Sequence, residues 1–290
     1  MASCIIEKVL RLSGASKEVS AKNFYKKLRK NAIRHKKGDK GVPLFLGVKA
    51  EREIYCGMHY FVFVPRSVET DKSIMYIHGS GYMNGYRRIQ AKFAAELAVR
   101  THAKVYFPLY PKLPVSTVLP CFALLHNFYV FLGKKGEVFL IGDSSGAALA
   151  LALAAEREEI RSVIAISPWV SLSVGEEGRR VKSDVTLSLS ALDRAARLWA
   201  YDLPYENVKL SPINGNYMGK ELLIFAGEKE IFCPDIRLFA ERKSAEGCRL
   251  TYWEGEGQQH CYPLFPTPEG REARAKILSV LQERIYGEAQ

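Results

Sequence analysis

The chain has 290 residues, of which 48% are hydrophobic and 25% charged, and a formal net charge of +11. That length allows one large α/β unit with a sizeable core, and no stretch approaches the roughly eighteen consecutive apolar residues of a membrane span. The charge does not indicate nucleic-acid binding, because residues 1–50 hold thirteen Lys/Arg against three Asp/Glu and so carry +10 of the +11.

Within this basic stretch, residues 17–40 mix their bases with Phe24, Tyr25, Leu28 and Ile33 at helical spacing, which predicts a docked helix with a basic outer face. Attraction of that face to an anionic membrane surface or an acidic partner is the second reading. The six cysteines (Cys4, Cys56, Cys121, Cys233, Cys248, Cys261) are scattered, with no C-x-x-C pair, so neither a zinc site nor a disulfide framework is expected. Reduced thiols, together with Glu7, Lys8 and Arg11 breaking up the short apolar patch at the start, point to a cytoplasmic protein without an export leader.

After the arm, Arg52–Cys56 and His59–Val64 are β-prone around Gly57 and predict a hairpin. Strands are then predicted at Lys72–Ile77, Lys104–Tyr110, Glu137–Ile141, Arg161–Ile166, Glu221–Gly227 and Arg249–Trp253. Helices are predicted at about Arg87–Arg100, Thr117–Leu132, the alanine- and leucine-rich run after Gly146, Ser188–Tyr201, Cys233–Ala245 and Glu269–Tyr286. Strands alternating with helices argue for an α/β fold with a mostly parallel, eight-stranded sheet and helices on both faces, opened by an antiparallel hairpin. The alternation pauses at Val170–Leu187, a largely polar excursion that would lie over the carboxyl ends of the strands. The economical division is a basic N-terminal helical arm, residues 1–50, and one catalytic unit, residues 51–290, with the excursion at about 170–200.

The chain's chemistry centres on Gly142-Asp-Ser144-Ser-Gly146, between an apolar strand and a strong helix former. A sharp strand-to-helix turn leaves no room for Cβ atoms on either side of the exposed hydroxyl, so the frame has the form of a nucleophile elbow with Ser144 at the bend. A serine hydroxyl needs a histidine to take its proton and an acid to orient the ring. In the α/β-hydrolase order the acid and then the histidine follow the serine. His35, His59, His78, His102 and His126 all precede Ser144, which leaves His260. The acid is expected in the loop after Glu221–Gly227, where Glu228, Glu230 and Asp235 compete; spacing leaves Glu228 and Glu230 open. Donors for a developing oxyanion are expected from the amides of Gly79 and Ser80 in His78-Gly-Ser-Gly81, joined by that of Ser145. A phosphate-binding reading of that glycine loop lacks either of the usual phosphate-loop frames.

Taken together these residues resemble the hormone-sensitive-lipase-like branch of the α/β-hydrolases, the bacterial carboxylesterases and arylacetamide-deacetylase-type enzymes, over roughly residues 60–285. His78-Gly-Ser-Gly-Tyr82 stands for that family's HGGG-[FY], Tyr110-Pro111 with Pro114 for its Y-x-L-A-P, and Gly142-Asp-Ser-Ser-Gly146 for its G-D-S-A-G. Ser167-Pro-Trp169, Gly227-Glu-Lys-Glu230 and His260 ahead of Tyr262-Pro-Leu-Phe265 complete six ordered matches. The resemblance places the acid three residues after Gly227, at Glu230. It implies an α/β-hydrolase fold with a small helical cap formed from N-terminal helices and the excursion after Trp169. It also implies hydrolysis of short-chain carboxylic esters through an acyl-serine, with no metal and no cofactor. Three positions depart from the pattern: Ser80 replaces a glycine, Ser145 an alanine and Ala147 a glycine.

The expected partner is therefore a small-molecule ester, with no nucleic acid; a homodimer is left open. Two other readings use the same fold. One is a catalytically silent ligand-binding protein, and the other an acyltransferase or amidase with the same acyl-serine.

Overall fold

The strand–helix alternation read from the sequence is present from Val48 onward in the computed structural model, which describes residues 6–8, 10, 21–36, 41 and 45–287. Of the basic stretch 17–40, residues 21–36 form a helix, α1 (Ala21–Lys36); residues 17–20 and 37–40 lie outside the described residues, as does Cys4. Eight strands follow: β1 (Val48–Tyr55), β2 (Met58–Pro65), β3 (Ser73–Ile77), β4 (Lys104–Pro108), β5 (Val138–Asp143), β6 (Ser162–Ile166), β7 (Glu221–Gly227) and β8 (Arg249–Gly255). They join in one sheet in the order β1-β2-β4-β3-β5-β6-β7-β8. β1 and β2 pair antiparallel about Gly57, β2 pairs antiparallel with β4, and the rest of the sheet is parallel.

Both faces are covered, as a parallel sheet requires. Successive residues of β3 go to opposite cores: Ile74 and Tyr76 pack on the face covered by α2 (Arg88–Thr101) and α8 (Pro268–Tyr286). Met75 and Ile77 pack on the face covered by α3 (Val118–Gly133), α4 (Ser145–Glu156) and α7 (Cys233–Ala245). α4 is buried from Ser145 through Ala154; a helix apolar all round has no surface to give to water, which is why its sequence is a run of Ala and Leu. The excursion holds a short helix, α5 (Glu176–Arg180), ahead of α6 (Leu189–Ala200). α1 is docked: Phe24 and Leu28 are buried in the core, and Asn31 donates to the Met83 carbonyl at 2.6 Å.

One feature of the order positions the site. β3 connects to one side of itself, to β4, while β5 starts on the other side and the sheet continues from there. The crevice at such a reversal, outside the carboxyl ends of the strands, is where ligands bind in open parallel sheets. β3 leads into His78-Gly79-Ser80, and β5 ends at Asp143, just ahead of Ser144.

Candidate active site

Ser144 sits between β5 and α4 with φ 53° and ψ −125°, a backbone conformation that costs on the order of 1–3 kcal/mol for a residue with a side chain. The chain can hold it because its flanks carry no Cβ. One added at Gly142 would lie 2.6 Å from the Ala147 nitrogen, and one at Gly146 would lie 2.1 Å from the Ile77 carbonyl oxygen. The turn is further pinned by the Ser144 amide, which donates to the Ile166 carbonyl at 2.8 Å.

His260 arrives on the loop after β8, and its Nε2 lies 3.0 Å from Ser144 Oγ. Its Nδ1 is hydrogen-bonded to Glu230 Oε2. The other carboxylate oxygen of Glu230 accepts from the Gly227 amide at 2.9 Å, and the side chain is fully buried. Three elements distant in sequence thus bring Ser144, His260 and Glu230 into one chain of hydrogen bonds. Glu228 is instead on the surface, accepting from the Gly257 amide at 2.6 Å. Asp235, the third acid of that loop, accepts from the Gly175 amide at 3.0 Å.

Burial pushes the His260 pKa down, and the neighbouring Cys261 sulfur and Glu230 carboxylate push it up by more, so it lies well above the usual histidine value. The Cys261 thiol is itself pushed up to about 11, mainly by burial, and is uncharged at neutral pH; the Glu230 carboxylate is the anion that acts on the ring. His78, by contrast, is driven well below its usual value by burial and then by Lys112. Neutral, it donates Nδ1–H to the Gly79 carbonyl at 3.0 Å and stacks on Phe107, a support for the glycine loop.

The candidate oxyanion donors are disposed unequally. Gly79 packs closely on Asp143, where an added Cβ would lie 2.4 Å from a carboxylate oxygen; that carboxylate accepts from Tyr76 and Gln90, each at 2.7 Å. The Ser80 amide donates to the Ser145 hydroxyl at 2.9 Å. Tyr110 donates to the His78 carbonyl at 2.8 Å, so the Ser80 hydroxyl, 2.9 Å from the tyrosine oxygen, is the donor of that second bond. No hydrogen bond among the described residues occupies the amides of Gly81 and Ser145. Two of the three departures from the family pattern, Ser80 and Ser145, therefore touch each other.

The family model described as alpha/beta hydrolase fold matches residues 74–264, about two thirds of the chain and every residue of the constellation above. The chain belongs to the α/β-hydrolase family. An esterase of Acinetobacter venetianus is 26% identical over 219 residues, covering 70% of this chain and 72% of the relative. An acetyl-hydrolase of Streptomyces hygroscopicus is 26% identical over 216 residues, with coverage of 70% and 72%. A crystallised bacterial esterase of the hormone-sensitive lipase family shares the fold, with a TM-score of 0.82 over 97% of both chains at 20% identity.

The hydrolase roofs its serine with segments that carry no motif. A cavity of about 250 Å³ stands over Ser144 and His260, lined from α1 by Phe24, from the glycine loop by Met83, and from the excursion by Leu187 and Leu192. Asp184 fastens the excursion: Oδ2 accepts from the Ile231 amide at 2.9 Å, and Oδ1 accepts from the Thr186 amide, the Thr186 hydroxyl and the Leu187 amide. Gln259, next to the histidine, clasps the same segment through Val185 and Ser183. A row of rings runs from His260 through Phe232, Trp169 and Tyr82 to Trp199 of α6, with Tyr82 and Trp199 stacked at 4.5 Å. Asp184, Gln259 and Trp199 carry no signal in the sequence beyond being a polar or aromatic residue near a loop. Among the described residues no group of His, Cys, Asp and Glu is placed to hold a metal ion, and no helix is long and apolar enough to cross a membrane.

Proposed function

We propose that this α/β-hydrolase is a serine carboxylesterase acting on short-chain acyl esters. Ser144 Oγ attacks the ester carbonyl while His260 Nε2 takes its proton, and Glu230 stabilises the imidazolium that results. The tetrahedral oxyanion is met by the Ser145 amide from the start of α4 and by the glycine loop, first through the Gly81 amide and then through the Ser80 amide once the Ser145 hydroxyl releases it; Gly79, packed against Asp143, shapes the loop. Collapse expels the alcohol with the proton carried by His260 and leaves an acyl-serine. Water, deprotonated by the same nitrogen, then releases the acid and restores the serine.

The observation that carries this reading is the 3.0 Å contact of His260 Nε2 with Ser144 Oγ, combined with Glu230 on the far side of the ring. The restriction to short chains is supported by the small cavity, lined by Phe24, Trp169, Leu192 and Leu264, and by the likeness to an acetyl-hydrolase. The arm and the excursion are read as the cap that closes it. A p-nitrophenyl ester series from acetate to laurate tests the proposal: kcat/KM is expected to peak at acetate to butyrate and to fall with longer chains. Ser144→Ala should lower kcat by about 10⁴-fold or more while leaving the melting temperature of the parent. Parental rates in that variant would refute the assignment.

A further inference from the structure

Two cations stand on the wall of the cavity with no counter-ion among the described residues. Lys27 of α1 and Arg87, the residue that precedes α2, both line it. No ion pair or hydrogen bond among the described residues engages either side chain. The lining's other ionisable groups are His260, Cys261 and Asp143, and the Asp143 carboxylate already accepts from Tyr76 and Gln90. The first turn of α2 adds to the field: it contains no acidic residue, its Ile89 and Gln90 also line the cavity, and a helix N-terminus is electropositive.

Lys27 and Arg87, both exposed at the rim of the pocket, carry like charges that repel one another. Burial, and then the charge of Arg87, push the pKa of Lys27 down. An anion placed between the two would relieve both costs, and a guanidinium presents paired donors that match a carboxylate. Neutral acyl chains gain nothing from these groups.

We propose that Lys27 and Arg87 form an anion subsite, so that the preferred substrate is a short ester carrying a second, ionised acid group. This inference rests on the esterase reading above. It also gives part of the basic arm a function in the site: Lys27 reaches the pocket because Phe24, one turn before it, and Leu28, the next residue, seat α1 in the core.

The test compares matched esters that differ by one carboxylate. For the acyl side the pair is the mono-4-nitrophenyl ester of succinic acid and 4-nitrophenyl butyrate; for the alcohol side it is 4-acetoxybenzoate and its methyl ester. In the parent protein the ratio of background-corrected kcat/KM, anionic over neutral, is expected to reach about tenfold for at least one pair, equivalent to about 1.4 kcal/mol. The gain should lie mostly in KM and shrink with added NaCl. In Lys27→Gln/Arg87→Gln the ratio should fall toward one, and in Arg87→Lys it should recover in part. Ratios at or below one for both pairs in the parent would overturn the inference, and so would a ratio that the double glutamine variant leaves unchanged. If the double variant does not fold, the salt dependence of the parent ratio decides, a salt-independent preference counting against the subsite. Hydrolysis of the neutral esters without an anionic preference removes this inference alone. Hydrolysis of no ester removes the esterase reading and the subsite together.

Discussion

On the floor of the site each reacting group is set by the chain next to it: Ser144 by the glycines two residues away, Glu230 by the turn that returns its carboxylate to the Gly227 amide, His260 by the loop leaving β8. On the roof the anchoring contacts are long-range, with a local turn at Asp184 beside them. α1 is held by Phe24 and Leu28 sinking into the core and by Asn31 on the Met83 carbonyl, 52 residues on, and the excursion by Asp184 reaching Ile231 and by Trp199 stacking on Tyr82. The difference separates two properties of the enzyme. In the proposed function, chemistry rests on backbone turns whose residues have few substitutes, whereas substrate choice rests on long-range packing that many residues could supply.

That division can be broken from either side. On the floor, Glu230→Gln should cost about 10²- to 10⁴-fold in kcat, because a neutral amide no longer stabilises the imidazolium. It should also move the pH profile. Since Glu230 raises the pKa of His260, the parent ring is protonated below that value, and kcat/KM is expected to rise with pH through a limb lying above about 6.5. Without the carboxylate the limb should shift downward; a limb that stays in place would show that Glu230 does not act on the ring.

On the roof, Asp184→Ala leaves three backbone amides and a hydroxyl without their acceptor. The expected loss is about 1–3 kcal/mol of stability, read by urea titration, with KM for p-nitrophenyl butyrate rising by more than kcat falls. An equal fall in kcat alone would mean that the roof belongs to the chemistry after all. The smallest effect is expected at the seam of the two regions. Ser145→Ala frees the Ser80 amide from the hydroxyl it now serves, and kcat should rise about two- to fivefold at a cost of about 1 kcal/mol in stability. A fall in kcat would assign the Ser145 hydroxyl a supporting role in the glycine loop.

The same division explains what could be read from the sequence. The eight strands, their order of appearance and the hairpin about Gly57 were legible because apolar runs and turn residues are local signals. The antiparallel β2–β4 pairing and the reversal at β3 and β5, which make the crevice, are relations between distant strands. Ser144 and His260 came from spacing and chain order; Glu230 needed the family resemblance, since Glu228 leaves the same loop and only the fold turns it to Gly257. The engagement of the Ser80 amide by Ser145 was not legible, because residues 65 apart meet only when β3 and β5 lie side by side. Nor was the approach of Lys27 to Arg87, which depends on how α1 docks.

The most direct test of the central claim, that Ser144 is a nucleophile activated by His260 and Glu230, is covalent capture with a fluorophosphonate, followed by peptide mass mapping. The parent protein is expected to take up one adduct, on the peptide containing Gly142–Gly146 and at Ser144, with labelling slowed in Glu230→Gln and lost in Ser144→Ala. No adduct on the folded parent protein, or an adduct at another serine that survives Ser144→Ala, would contradict it.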